Sequence, residues 1–332
     1  MKFETMRFRS RRLIAASAVL ACAVLFLTGF TPSTRAASGG NSKLVAFVPG
    51  FFGIGFYNAV YAGVRDQAKK YGWKTIQQGS DQAFSPAAQT PYVRAVCTQK
   101  PALLVIAPTD PVAMRAPIQA CMNLGVKVVI VDTNLTNSAG VISSIATDNA
   151  EGGTLAGKFI AKALGGKGVV SMHTGQPQAT TQAIRIKAAQ NVLNKYPGIT
   201  ELQIIADATP DAAFSSTQAS LVGNPDIAAI FDESGGCVQE EKAVSDAGKK
   251  ALVVCFDASV QQDPLLQAGK LAALVVQPAY QEGTLAVQYG HDYITGQKAL
   301  VKKHVQLNDV MVTAANANKP QFQQILKDGG GS

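Results

Sequence analysis

The sequence predicts an α/β protein of two doubly wound lobes, each a parallel sheet covered by helices on both faces. Three observations lead there. Short β-branched runs alternate with longer stretches of helical period, polar residues collect just after those runs, and the chain is long enough for two cores. A strand buried on both faces needs an unbroken apolar run, whereas a half-wet strand alternates. The runs are Leu44 to Val48, Leu103 to Ile106, Val126 to Val131, Val169 to Met172, Leu202 to Ile205, Ile227 to Phe231 and Leu252 to Phe256. Amphipathic helices fill the intervals, such as Asn58 to Tyr71, stopped by Gly72, and Gln182 to Tyr196, stopped by Pro197 and Gly198.

The chain opens with Arg7, Arg9, Arg11 and Arg12, runs apolar from Leu13 to Phe30, and reaches small residues at Thr34-Arg35-Ala36. A basic leader, an apolar run and a processing site make residues 1–36 a cleaved export signal, so the mature protein is expected in the periplasm or outside the cell. A retained anchor fits less well, because the run is short for a spanning helix and is interrupted by Ser17, Cys22 and Gly29. Ser10-Arg11-Arg12 leaves the twin-arginine route open beside the general one, and lipidation at Cys22 would leave an apolar stub. The leader holds six of the 30 basic and one of the 22 acidic residues, which leaves 24 against 21, a net charge of +3. Charge so mild and dispersed is not a nucleic-acid footprint.

Four cysteines follow the leader: Cys97, Cys121, Cys237 and Cys255. An even number in an oxidising compartment favours disulfides, with three possible pairings, and buried free thiols are the alternative, above all for Cys255 in its apolar run. The sequence has no CxxC and only His173, His291 and His304, so neither a metal nor a cofactor is expected. His291 and His304 read as surface residues, and His173, ending a strand, as a satisfied supporting residue. No nucleophile elbow or HExxH is present, so no catalytic role is assigned.

Two stretches imitate nucleotide motifs. Gly152 to Lys158 fits most of a phosphate loop, but Phe159 stands where Ser or Thr must hold magnesium, so the stretch reads as helix. Gly50 to Gly55 has the wrong glycine spacing for a dinucleotide turn, and the next strand ends in Gln77-Gln78 without an acidic ribose ligand. Polar residues after strands include Pro108-Thr109-Asp110, Asp132-Thr133, Thr147-Asp148-Asn149, Asp232-Glu233-Ser234 and Asp257. Open α/β sheets bind ligands there, but Asp110 and Asp148 read as helix caps in preference to ligand contacts.

The chain resembles the type I periplasmic sugar-binding proteins of ABC importers, most closely the ribose-binding-like branch, over almost its whole mature length. The residues that carry the likeness are Phe56-Tyr57, Gly63 to Ala68, Tyr71-Gly72-Trp73, Pro108-Thr109-Asp110, Asp132-Thr133, Ile145 to Asn149 with Gly152-Gly153, Phe256-Asp257 and Gly269-Lys270-Leu271. The resemblance implies two lobes, residues 43–147 with 278–305 and residues 148–277 with 306–328, joined by a hinge that the chain crosses three times. It implies a monomer that binds a small sugar or polyol, closes on it and delivers it to a membrane ABC permease. The same features fit a receptor module for chemotaxis or signalling, and less well an exported nucleotide-dependent oxidoreductase. A repressor's effector domain shares the fold but begins with a helix-turn-helix.

Carried over by residue, Phe56 and Tyr57 would sandwich a sugar ring with Phe256 opposite, while Asp132, Arg185, Asp257 and Gln277 would bond its hydroxyls. Because Phe56 and Tyr57 are adjacent, just before a helix, one core cannot take both. Thr133 and Ser234 stand where the ribose-type pattern has an arginine and an amide, and Ile54 and Ala107 replace further amides, which argues against ribose. Cys97 with Cys121 and Cys237 with Cys255 would each stay within one lobe. Asp132 and Arg185 are expected to face an open cleft, so that truncating either leaves stability nearly unchanged.

Overall fold

The computed structural model describes residues 41–82, 84–175, 180–207, 209–234 and 237–331, so the export signal read at residues 1–36 lies outside the described residues. The first stretch runs β1 (Asn41–Val48), α1 (Gly55–Lys70), β2 (Lys74–Gln77), α2 (Pro86–Thr98), β3 (Pro101–Ile106), α3 (Arg115–Asn123), β4 (Lys127–Val131) and β5 (Ser143–Thr147). The second runs α4 (Asn149–Ala163), β6 (Lys167–Thr174), α5 (Thr180–Leu193), β7 (Gly198–Glu201), β8 (Ile205–Ala206), α6 (Pro210–Gly223), β9 (Ile227–Asp232), α7 (Cys237–Asp246), β10 (Leu252–Phe256), α8 (Gln262–Gln267) and β11 (Ala273–Val276). The last part is α9 (Ala279–Ile294), β12 (His304–Leu307), β13 (Val310–Thr313) and α10 (Pro320–Gly329).

Two sheets result. The first has the order β12-β5-β4-β3-β1-β2 and is parallel throughout; the second has the order β13-β11-β10-β9-β6-β7, with β8 paired to β6. Only β13 breaks the expected parallel pattern, lying antiparallel to β11. A parallel neighbour needs a crossover. The chain instead reaches β13 directly from β12 of the other sheet. It passes between the sheets three times: from β5 to α4, from β11 to α9, and from Leu307 to Val310.

Strands β1, β3, β4, β9 and β10 carry apolar residues on both faces and are almost wholly buried, because helices cover each sheet twice. Each such Val, Leu or Ile contributes about 1.5–3 kcal/mol. The run read as one strand at Leu202 to Ile205 is instead divided: β7 pairs with the start of β6 and β8 with its end, and Leu202 keeps one ladder bond to Val170. Among the described residues, no helix is long and apolar enough to cross a membrane.

Glycines set the closest helix pairs. A Cβ on Gly63 would strike the Tyr280 carbonyl, and one on Gly283 the Val60 carbonyl, so α1 and α9 pack backbone to backbone. Gly153, inside the stretch that imitates a phosphate loop, does the same for α4 against Arg185 of α5. That stretch is helical as expected, with Asp148 capping α4 through the amides of Ala150 and Glu151. Asp110 likewise accepts from the amides of Val112 and Ala113. His304 is exposed as expected, but His291 is not simply a surface residue: it stacks on Tyr71 with ring centroids 3.7 Å apart. Both expected disulfides are present, with Cα separations of 5.4 Å for Cys97–Cys121 and 6.1 Å for Cys237–Cys255.

Candidate functional site

The three chain passages bring strand ends of both sheets together, and polar side chains converge there. Gln277, one residue past β11, is at the centre. Its Oε1 accepts from Thr147 Oγ1 at 2.7 Å and from Arg185 at 2.7 Å, while its Nε2 donates to Asp257 Oδ1 at 2.7 Å. Arg185 reaches in from α5, its Nε donating to Asn149 Oδ1 at 2.6 Å and its NH1 to the Glu233 carbonyl at 3.2 Å. The Glu233 carboxylate lies 3.9 Å from the same guanidinium.

On the first sheet's side, Tyr57 donates to Asp132 Oδ2 at 2.8 Å, and Thr133 reaches the same oxygen at 3.4 Å. The Asp132 amide donates to Glu282 Oε2 at 3.1 Å. Gln89 steadies the neighbouring strand ends, donating to the carbonyls of Pro49 and Ala107 and accepting from Thr109.

The structure places the expected residues unevenly. Arg185, Asp257 and Gln277 share one hydrogen-bond network, and Asp132 with Thr133 forms a second group within reach of the Arg185 charge. Phe56 and Tyr57 stand within the first turn of α1, not before it, and both are buried in one core cluster, edge to face at 5.1 Å. The helix end is enclosed on several sides, so adjacent positions both find cover, contrary to the helical-spacing argument. Phe256 is fully buried, and its ring lies 4.2 Å beneath the Arg185 guanidinium. Ser234 turns inward, its amide and hydroxyl both donating to Asp232 Oδ1 at 2.7 Å. Asp132 and Arg185 do not face open water: they are 9% and 5% exposed, Asp132 held by Tyr57 at Oδ2 and Arg185 by Asn149 and Gln277.

Five carboxyls surround the single guanidinium of Arg185: Asp132, Glu233, Asp257, Glu282 and Asp309. Burial raises all five. Asp257 is pushed up to about 6, and Glu233 and Asp309 to about 8, against the lowering effect of Arg185. Asp132 and Glu282 are raised as well, Glu282 further by the Asp132 charge. Burial lifts the Tyr57 hydroxyl well above its usual range, with Asp132 adding to it, so the phenol remains a donor. Glu282 Oε1, Glu233 Oε2 and both Asp309 oxygens lack hydrogen-bond partners. Neutral carboxyls donate and charged ones accept, so this ring can satisfy both halves of a hydroxyl group.

Sequence reasoning missed Glu282 and Asp309 altogether, whereas Asn149 and Glu233 were noted among the polar residues after strands but given no ligand role. Glu282 lies within α9 and Asp309 in the last passage, where only the folded chain shows what they face.

The profile of a family described as "Periplasmic binding protein domain" matches residues 45–298. The ribose import binding protein RbsB of Bacillus subtilis is 29% identical over 250 residues, covering 73% of this chain and 79% of that protein. The D-apiose import binding protein of Actinobacillus succinogenes is 23% identical over 288 residues, covering 84% and 91%. A solved ABC transporter solute binding protein from Agrobacterium vitis, bound with α-D-tagatopyranose, superposes with a TM-score of 0.80 at 27% identity, covering 85% of this chain and 98% of that one.

Proposed function

Because the chain belongs to the periplasmic binding protein domain family, we propose that it is an exported solute-binding protein that captures a small sugar or polyol between its lobes and delivers it to a membrane ABC permease. The lobes are residues 43–147 with 278–307 and residues 148–277 with 310–328, the last boundary falling after Leu307 and not at 305 because β12 pairs with β5 through Leu307, and the protein works as a monomer in the periplasm. The observation that carries this reading is the network through Gln277. One side chain at a chain passage holds Thr147, Arg185 and Asp257 at once, so groups from separate elements are presented together.

A sugar offers a hydroxyl rim and apolar C–H faces. Asp132, Asp257, Arg185 and Asn149 suit the rim, and Phe56 and Tyr57 suit a face. Charged hydrogen bonds of about 1.5–3 kcal/mol each make micromolar affinity, about −8 kcal/mol, reachable with a few contacts. Closure follows if the ligand prefers the shut arrangement, about 5.5 kcal/mol for a near-complete switch. Ile54, Ala107, Thr133 and Ser234 lack the long polar arms of the ribose-type pattern, so we favour another pentose, a deoxy sugar or a polyol over ribose.

Thermal shift and titration calorimetry with a panel of pentoses, deoxy sugars and polyols test the reading, with native mass spectrometry of protein purified without refolding. One compound of that class should bind with micromolar or better affinity and stay chemically unchanged. Silence across the panel, with a copurified ligand that is neither sugar nor polyol, overturns it.

A further inference from the structure

Bordering the inter-sheet site, the second lobe buries a polar cluster that the proposed sugar contacts do not use. His173 stands in β6, Asp207 follows β8, Asp232 closes β9 and Glu240 lies in the first turn of α7, with exposures of 0%, 6%, 0% and 0%. One donor atom from each of His173, Asp207 and Glu240 lies within 4.8 Å of the others. His173 Nδ1 is 2.7 Å from Asp207 Oδ2. Asp207 Oδ1 has no hydrogen-bond partner, and the buried Glu240 carboxyl meets that of Asp232. Among the described residues, no Lys or Arg forms a salt bridge with Asp207 or Glu240, so the cluster holds an excess of buried acid.

Two features make this a built site. The Cys237–Cys255 bridge ties the first residue of α7 to β10, where Cys255 is in register with Asp232, and Glu240 follows one turn after Cys237. The bridge therefore holds Glu240 over the end of β9. A surface pocket of about 420 Å³ is lined in part by Ser216 and Ser220, which border the cluster. Ser216 donates to Asp207 Oδ2 at 2.7 Å, and Ser220 approaches Ser171, whose hydroxyl is 3.0 Å from His173 Nε2.

We propose that His173, Asp207 and Glu240, with Asp232 beside them, bind one divalent transition-metal cation, for which zinc is the probe. Imidazole nitrogen with carboxylate oxygens is a zinc-type donor set at about 2.0–2.2 Å, and an imidazole ligand disfavours calcium and magnesium. Imidazole and carboxylate groups ligate a metal in their deprotonated forms, so any protons they carry would leave to solvent on binding. Ser171 on Nε2 and Ser216 on Asp207 then orient the ligands from outside. The sequence alone gave no metal motif because the donors come from four separate elements. The ion would tie α7 to the ends of β6, β8 and β9, bordering the sugar network at Glu233.

Mature protein made without a polyhistidine tag, stripped with EDTA and dialysed, is titrated with zinc chloride by calorimetry and elemental analysis. One zinc per chain should bind, raising the melting temperature with zinc concentration. Glu240→Gln and Asp207→Asn should each lower zinc affinity by more than about 100-fold. Because either variant could disturb folding, zinc K-edge absorption on the wild-type protein provides a second readout and should show only N/O ligands with imidazole scattering. Failure to retain zinc, unchanged binding in both variants, a sulfur ligand shell, or a preference for calcium overturns the proposal.

Discussion

Asp132 and Asp257 occupy corresponding places in the two sheets. Each stands one residue past a strand, at φ +61° and +64°, and donates its amide to a carbonyl of the next strand over, Ile145 and Val275 respectively. The left-handed backbone is costly for most L-residues and more tolerable for Asp, and here it lets the chain turn sharply at the inter-sheet site. Two lobes of the same construction thus contribute one carboxyl each, and Arg185 lies close enough to lower both.

Arg185→Ala should destabilise the ligand-free protein by about 3 kcal/mol, because it strands Gln277, Asn149 and the Glu233 carbonyl in a buried place. Urea denaturation checks it against Arg115→Ala, an exposed control expected to change little. Equal stability of the two variants would show that the network is not formed in the free protein.

Asp132→Ala and Asp257→Ala should each weaken sugar binding by about 1–3 kcal/mol, or roughly five- to more than a hundredfold, by leaving a ligand hydroxyl without an acceptor. Calorimetry with the ligand found in the panel measures this. Wild-type affinity in both would remove these carboxyls from the site.

Stability of the free protein should fall as pH rises from about 4 to about 8. Unfolded carboxyls lose their protons near pH 4, whereas native Asp257 holds its proton to about 6 and Glu233 and Asp309 to about 8. Between those limits the native state binds more protons than the unfolded chain, so each step upward in pH favours unfolding. Asp309→Asn should flatten the profile; parallel melting curves for variant and wild type across that range would contradict the assignment.

Gly283→Ala should cost about 1–3 kcal/mol, since its Cβ would come within 2.9 Å of Val60 C and Val64 N on α1, and overpacking of that kind forces the helices apart. Calorimetric melting of the single variant is the measurement, and a neutral result would mean that the α1–α9 pair has slack.

Removing the Cys97–Cys121 bridge by Cys97→Ser with Cys121→Ser should destabilise by about 3 kcal/mol, chiefly through the unfolded state. Both cysteines are also buried, so the double variant should be less stable than protein reduced and left unblocked. Chemical denaturation of the three forms separates the two contributions.

Much of the fold was determined locally. The apolar runs at Leu44, Leu103, Leu252 and their neighbours specify doubly covered strands by composition alone, and Asp110 and Asp148 cap from their position after a strand. Asp132, Arg185, Asp257 and Gln277 were legible through the resemblance, because their local motifs survive in this chain. Tertiary structure decided what those residues do. It buried Asp132 and Arg185 among separate hydrogen-bond partners, placed Phe256 beneath a guanidinium, and turned Ser234 inward. It also brought Glu282 and Asp309 to Arg185, and gathered His173, Asp207 and Glu240 into one cluster. A periodic pattern records which face of an element is apolar. Which side chains share a buried volume depends on where the chain passes between sheets, and no stretch of sequence shorter than the whole fold contains that information.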